Sequence, residues 1–223
     1  MLFITIEEAA MIKNTLTNRV LKPYSPKVFQ SISDFPMARN QLENYKDAIS
    51  SLGAIICKYR FEDVVGINLL HKHFDITNEE IIVRRYEGSK KAYMQPKIAK
   101  EVLSNCIPYL WAFSTEKDGS EGWYPIEFIE WKKSYCPDLS LLDHADGFLL
   151  ELGEKLTNLG LQDVFGIAGL YSRQKFTLGI KETLLETTDE STKTLTLKIV
   201  PEDVVKTSDT TQTLWLFSQP ILN

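Results

Sequence analysis

The chain is poor in the residues that most often announce a chemistry. Only three of its 223 residues are cysteine and three are histidine. Cys57, Cys106 and Cys136 are widely spaced and odd in number, and no C-x-x-C occurs. That excludes a zinc ribbon and a thioredoxin-type redox motif, argues against a disulfide framework, and fits a reducing compartment. Long apolar runs are missing too. The longest uncharged stretches, Val102 to Thr115 and Thr210 to Asn223, each hold a proline and polar residues and are too short to span a bilayer. The opening Met-Leu-Phe-Ile-Thr-Ile-Glu-Glu has acids where a signal peptide needs a basic start and a longer apolar run. The expectation is a cytoplasmic protein with no membrane span.

Positive charge is scarce as well. Thirty acidic residues stand against 25 basic ones, a net charge of -5. The basic doublets Arg84-Arg85, Lys90-Lys91 and Lys132-Lys133 are short and read as solvated strand ends and loops. Phosphate neutralisation needs a basic face, so this balance argues against a nucleic-acid partner. No G-x-S-x-G, H-E-x-x-H, Walker loop or G-x-G-x-x-G appears, and several large enzyme classes lose their usual signal. The acidic pairs Glu7-Glu8, Glu79-Glu80 and Glu127/Glu130 read as solvated caps and turns.

What is present is ordinary globular material, 43% apolar and 25% charged, long enough to bury a core unaided. Thr5-Ile6-Glu7-Glu8 matches a capping box, and Ala9, Ile12, Leu16 and Val20 follow at helical spacing as far as Pro23. A second helix is expected from Asp34, with Pro36 in its first turn, to Gly53 as a C-terminal stop. Strand candidates are Val65 to Leu69, Glu80 to Tyr86, Ala92 to Ile98, Tyr109 to Ser114 and Tyr124 to Trp131, with an edge strand over Ile55 to Phe61. The pair before and after Asp118-Gly119 reads as an antiparallel hairpin.

Self-similarity is the most informative pattern. Asp63-Val64-Val65-Gly66-Ile67 returns as Asp163-Val164-Phe165-Gly166-Ile167, and Leu110-Trp111-Ala112-Phe113-Ser114 as Leu214-Trp215-Leu216-Phe217-Ser218. Between them Phe74 matches Phe176, Glu80 matches Glu182, and Lys97-Ile98 matches Lys198-Ile199, while Leu52-Gly53 matches Leu159-Gly160 ahead of them. The reading is a diverged tandem duplication with an α+β fold. Helix-plus-antiparallel-meander units pack pseudo-symmetrically behind an N-terminal helical extension. Residues 1–38 form the extension, 39–132 the first unit with an extra hairpin, 133–146 a connector and 147–223 the second unit. The second unit is expected as a helix over Phe148 to Leu159 and strands over Val164 to Ser172, Lys181 to Thr187, Lys193 to Val200 and Thr213 to Ser218. The two units share one core. Trp111 and Trp215 are its matched anchors, and Cys57 is read as an inert buried thiol.

Two of the three histidines sit in Leu70-His71-Lys72-His73-Phe74. On a strand they share a side, and alternation puts them on the face of Val65, Ile67 and Leu69. Imidazole is both the usual metal ligand and the usual acid–base group. The frame Gly66-x4-His71-x-His73-x5-Glu79, then Gly88, loosely resembles the first cupin motif. That resemblance implies a metal held by His71, His73 and Glu79 inside a small β-barrel. The second cupin motif is absent, and His144 lacks its context. The repeat places Tyr171 and Arg173 where His71 and His73 stand, so the second unit carries no site of this kind.

Two functions follow as expectations. The leading one is a non-catalytic ligand-binding or protein-interaction module without a cofactor. Its polar groove between the repeats joins His71 and His73 to Tyr171 and Arg173, and takes an anionic small molecule. The alternative is a metal-dependent, cupin-like enzyme with one divalent metal ion on His71, His73 and Glu79. A protein partner at the hairpin through Trp123, Tyr124, Phe128 and Trp131 is weighed against those aromatics capping the core, which is preferred.

Overall fold

The computed structural model describes residues 20–115, 119–130, 141–170, 179–205 and 210–218. A short helix α1 (Pro26–Ser31) precedes the long helix α2 (Phe35–Lys58). Asp34 caps α2 by accepting from the Met37 amide at 2.9 Å, with Pro36 in the first turn where no amide is missed. Ala38, Leu42, Ile49, Leu52 and Ile56 then form its buried stripe. The helix does not stop at Gly53, and the expected edge strand over Ile55 to Phe61 is mostly its last turns. Ile55 and Ile56 continue the apolar face, and the chain leaves the helix only around Arg60, whose φ is 61°. Gly53 is needed for a different reason: the Phe217 ring occupies the space a Cβ would take.

The strands are β1 (Val65–Leu69), β2 (Glu80–Glu87), β3 (Lys91–Ile98), β4 (Cys106–Thr115) and β5 (Glu121–Glu130), with the one-turn helix α3 (Ala99–Val102) between β3 and β4. Helix α4 (Asp146–Leu159) follows, closed by Gly160 in the left-handed conformation, and then β6 (Phe165–Gly169), β7 (Glu182–Asp189), β8 (Thr194–Pro201) and the two-residue β9 (Leu214–Trp215). All nine strands among the described residues join one sheet in the order β7-β8-β3-β2-β5-β4-β6-β1-β9. It is antiparallel except where β2 runs parallel to β5. The fold is therefore α+β, a long helix with a mixed, strongly curled half-barrel.

The separate meanders expected of each half do not form. Only β2–β3, β4–β5 and β7–β8 pair as sequence neighbours, while β1 pairs with β6 and β9, and β3 with β8. The reason is burial: strands drawn from both halves close one curled surface that neither half covers alone. Several contacts recur in matched form. Ile67 pairs with Ile167 at the centre of the β1–β6 ladder. Leu70 N donates to Val164 O and Leu170 N to Val64 O, both at 2.9 Å. The Phe113 ring fills the Cβ space of Gly153 as Phe217 does at Gly53.

Both faces of the sheet are buried. On the outer face α2 and α4 pack against Val65, Ile67, Leu69, Trp111, Phe113, Trp123, Phe165 and Ile167. On the inner face the curl brings Met94, Leu195 and Leu197 into one cluster with Leu70, Leu110 and Ala168, closed by Val28, Phe29 and Ile32. Trp123 is fully buried and donates its indole N–H to Leu149 O at 2.9 Å, and Tyr124 and Phe128 are buried too, so the hairpin aromatics cap the core. Trp111 is buried and Trp215 half-buried against Phe165, while Cys57 is half-buried rather than enclosed. The capping box at Thr5, the first helix expected after it and Trp131 lie outside the described residues, as does most of the connector. Among the described residues no helix is long and apolar enough to cross a membrane.

Candidate functional site

Among the described residues the inner face of the half-barrel is largely apolar and carries one charged cluster. There Leu70 to Phe74, β2, β5 and β7 bring together His71, His73, Arg84, Glu127 and Glu186. Strand alternation put the histidines on the other face, and the difference has a local cause. β1 ends at Leu69, and the following turn is pinned to the start of α2, where Lys72 N donates to Ser33 O at 2.8 Å. Lys72 also pairs with Asp34 as an isolated bridge. Both imidazoles consequently swing inward, lining a cavity of about 10 Å³ with Phe29, Ile82, Met94 and Glu127. That is the space of about one water molecule or one ion.

His71 is buried beneath Phe35, ring centroids 5.1 Å apart. Its Nδ1 lies 2.8 Å from Leu69 O. A carbonyl oxygen only accepts, so Nδ1 carries the proton and Nε2 presents a lone pair. That Nε2 is buried and has no hydrogen-bond partner. His73 stands edge-on to His71 at 4.5 Å between centroids, and its Nδ1 is 3.1 Å from Thr188 Oγ1 on β7. Burial, then His71 and Arg84, push its pKa down to about 3, so the ring is neutral at ordinary pH. Glu186, on the same strand as Thr188, completes a group whose ligating atoms all lie within 4.8 Å of one another.

Arg84 is 2% exposed. Its guanidinium carbon sits 3.9 Å from the centroid of the Tyr109 ring, and Nη2 lies 3.3 Å from Met94 Sδ. Nε and Nη1 are buried without acceptors. Burial acts to lower the Arg84 pKa, but Tyr109, Tyr86, Glu127 and Glu186 together outweigh it and hold the charge. Glu127 is buried, and burial raises its carboxyl to about 7, with Arg84 pulling down and Glu186 pushing up. Paired irregularities between β4 and β5 fall beside it, between Pro108 and Leu110 and between Leu110 and Trp111. Such bulges re-aim side chains, and here Tyr109 is buried under the guanidinium.

His71 and His73 lie side by side. Glu79 is exposed, its backbone carbonyl accepting from Ala99, and Glu186 stands with the histidines in its place. Tyr171 and Arg173 lie outside the described residues. His144 is exposed on the turn before α4.

Arg84 and Glu127, read from sequence as solvated, are buried. Alternation sends Arg84 inward and Arg85 outward, where Arg85 pairs with Glu130 at 3.0 Å. The signal that could have found them is a charge at the centre of an apolar strand: Ile82-Val83-Arg84 and Ile126-Glu127-Phe128. Glu186 gave no such signal, because β7 is half-exposed and rich in threonine and glutamate. Comparison with known protein families, curated proteins and solved structures finds no match to this chain.

Proposed function

We propose that this protein binds one divalent transition-metal ion inside the half-barrel, through His71, His73 and Glu186. The observation that carries the reading is His71 Nε2: a buried imidazole nitrogen with a free lone pair, whose opposite nitrogen is anchored on a backbone carbonyl. That anchor is the arrangement by which proteins fix the tautomer of a metal-binding histidine. Leaving such an acceptor bare costs about 1–3 kcal/mol, which a metal ion would offset. His73 adds a ring that is already neutral, and Glu186 a carboxylate within reach.

Two imidazoles and a carboxylate suit iron(II), zinc, manganese or a similar ion and leave coordination positions open. Glu127 and Glu186 supply two carboxyl groups against the guanidinium of Arg84, and Lys72, which also lines the cavity, is paired with Asp75 at 3.1 Å, so the interior can accept added positive charge.

The same reading includes a tandem duplication that places this site on only one half. The matched Ile67–Ile167 pairing, the reciprocal Leu70 and Leu170 hydrogen bonds and the Gly53–Phe217 and Gly153–Phe113 packings support it. Metal analysis and calorimetry on the purified full chain test the function. One equivalent of metal is expected, lost in the His71→Ala/His73→Ala double variant. A wild-type chain that takes up no iron, zinc, manganese or cobalt would falsify it.

A further inference from the structure

We propose that the metal ion is a structural clip in a closed site, in which Glu127 supplies the fourth ligand and the ion fastens the β7 edge of the sheet to the turn after β1. The inference rests on the metal reading above and adds what the ion does there. Two observations carry it.

The first is the cavity. Its walls leave about 10 Å³, which one ion fills with no space for a substrate or an anion beside it. A catalytic ion keeps one coordination position for water or substrate, whereas a structural ion takes all four ligands from the protein. His71, His73 and Glu186 supply three. The fourth follows from what else lines the cavity. The side chains of Phe29, Phe74 and Ile82 offer only carbon. Lys72 carries an ammonium without a lone pair, paired with Asp75 at 3.1 Å, and Met94 Sδ already accepts from Arg84 Nη2 at 3.3 Å. Glu127 remains. It is buried, and among the described residues nothing donates a hydrogen bond to its carboxylate. A buried carboxylate is ordinarily paired or coordinates a metal.

The second is where the ligands stand in the sheet. Among the described strands β7 forms one edge, and β1 is next to the other. β7 is half-exposed and pairs with β8, which in turn is held to β3 over Leu195 to Lys198. The curl brings this hairpin against the turn after β1, and side-chain hydrogen bonds span the junction. His73 Nδ1 lies 3.1 Å from Thr188 Oγ1, and Lys193 Nζ donates to Asp75 O at 2.8 Å. An ion on His71, His73 and Glu186 crosses the same junction, and Glu127 ties it to β5 in the middle of the sheet. Such a link joins segments far apart in the chain, where closing a loop restricts the unfolded chain most.

The test compares the full chain loaded with zinc or cobalt(II) with the same chain in chelator. The visible bands of the cobalt form are expected to stay unmoved by azide, because no position is open to it. Hydrogen exchange is expected to slow on zinc binding both over residues 70–76 and in β7. Glu127→Gln keeps the shape of the side chain and is expected to bind zinc at least about tenfold more weakly. Glu127→Ala opens the fourth position, so its cobalt bands should respond to azide; should that variant fail to fold, the zinc affinity of Glu127→Gln decides the role of Glu127.

A wild-type chain that takes up both metals but whose cobalt bands shift with azide overturns the closed site and leaves the metal reading standing. Wild-type zinc affinity in Glu127→Gln does the same for the fourth ligand. Slowed exchange confined to residues 70–76 overturns the clip. A chain that takes up neither metal ends the metal reading itself, and the clip with it.

Discussion

Replacing His71 by leucine, an apolar side chain of similar bulk, is expected to have opposite consequences with and without metal. In the metal-free chain the substitution removes the Nδ1–H bond to Leu69 O, a loss of about 0.5–1.5 kcal/mol. It also removes the buried, unpartnered Nε2, whose desolvation costs about 1–3 kcal/mol. Phe35, Ile82 and Met94 around the ring accept a leucine without a polar mismatch. The two terms oppose each other, and the metal-free variant should lie between about 0.5 kcal/mol less stable and about 2.5 kcal/mol more stable than wild type.

With metal at one hundred times its dissociation constant, wild type gains about 2.7 kcal/mol from binding to the folded state alone, and the variant gains almost nothing. For a chain of this length that gain is worth roughly 5–11 °C in melting temperature. Urea melts of both proteins, with chelator and with zinc, measure all four numbers. The reasoning is refuted if zinc leaves wild type unmoved. It is also refuted if the metal-free variant loses more than about 3 kcal/mol, because His71 would then be a structural residue whose ring the core requires.

Glu186→Gln should weaken metal binding by about 10- to 100-fold, whereas Glu79→Gln, on the exposed turn, should leave it unchanged; equal effects in calorimetry would remove Glu186 from the site. Gly153→Ala should cost about 1–3 kcal/mol, because the added methyl meets the Phe113 ring; a stabilised variant in a urea melt would refute that packing. Burial raises the Glu127 carboxyl from 4.5 to about 7, so between those values the folded chain holds more protons than the unfolded one. Metal-free stability should therefore fall as pH rises from about 4.5 to 7, by at most about 1.4 kcal/mol per pH unit for this group. Glu127→Gln should flatten that fall, and denaturation at several pH values in both proteins checks it.

Local pattern determined a good deal of this protein. Helical spacing and the Asp34 cap located the start of the long helix, and period-two alternation placed most of the strands, because both report which face of an element is buried. The matched segments around Ile67 and Ile167 marked the two strands that pair at the middle of one ladder. The His-x-His pair stood out because histidine is so scarce in the chain.

What tertiary structure alone decided is who meets whom. Gly53 looked like a stop, yet it is there to admit a phenylalanine from 164 residues further along. The histidines changed face because β1 ends at Leu69 and the next turn is held by α2, a contact that no alternation rule contains. Glu186 joined them, rather than the nearby Glu79, because the sheet curls until its β7 edge reaches the turn after β1. Arg84 and Glu127 became buried charges through the same curl. Burial on both faces of a sheet is a property of its closure, and closure depends on pairings between strands that lie far apart in the chain.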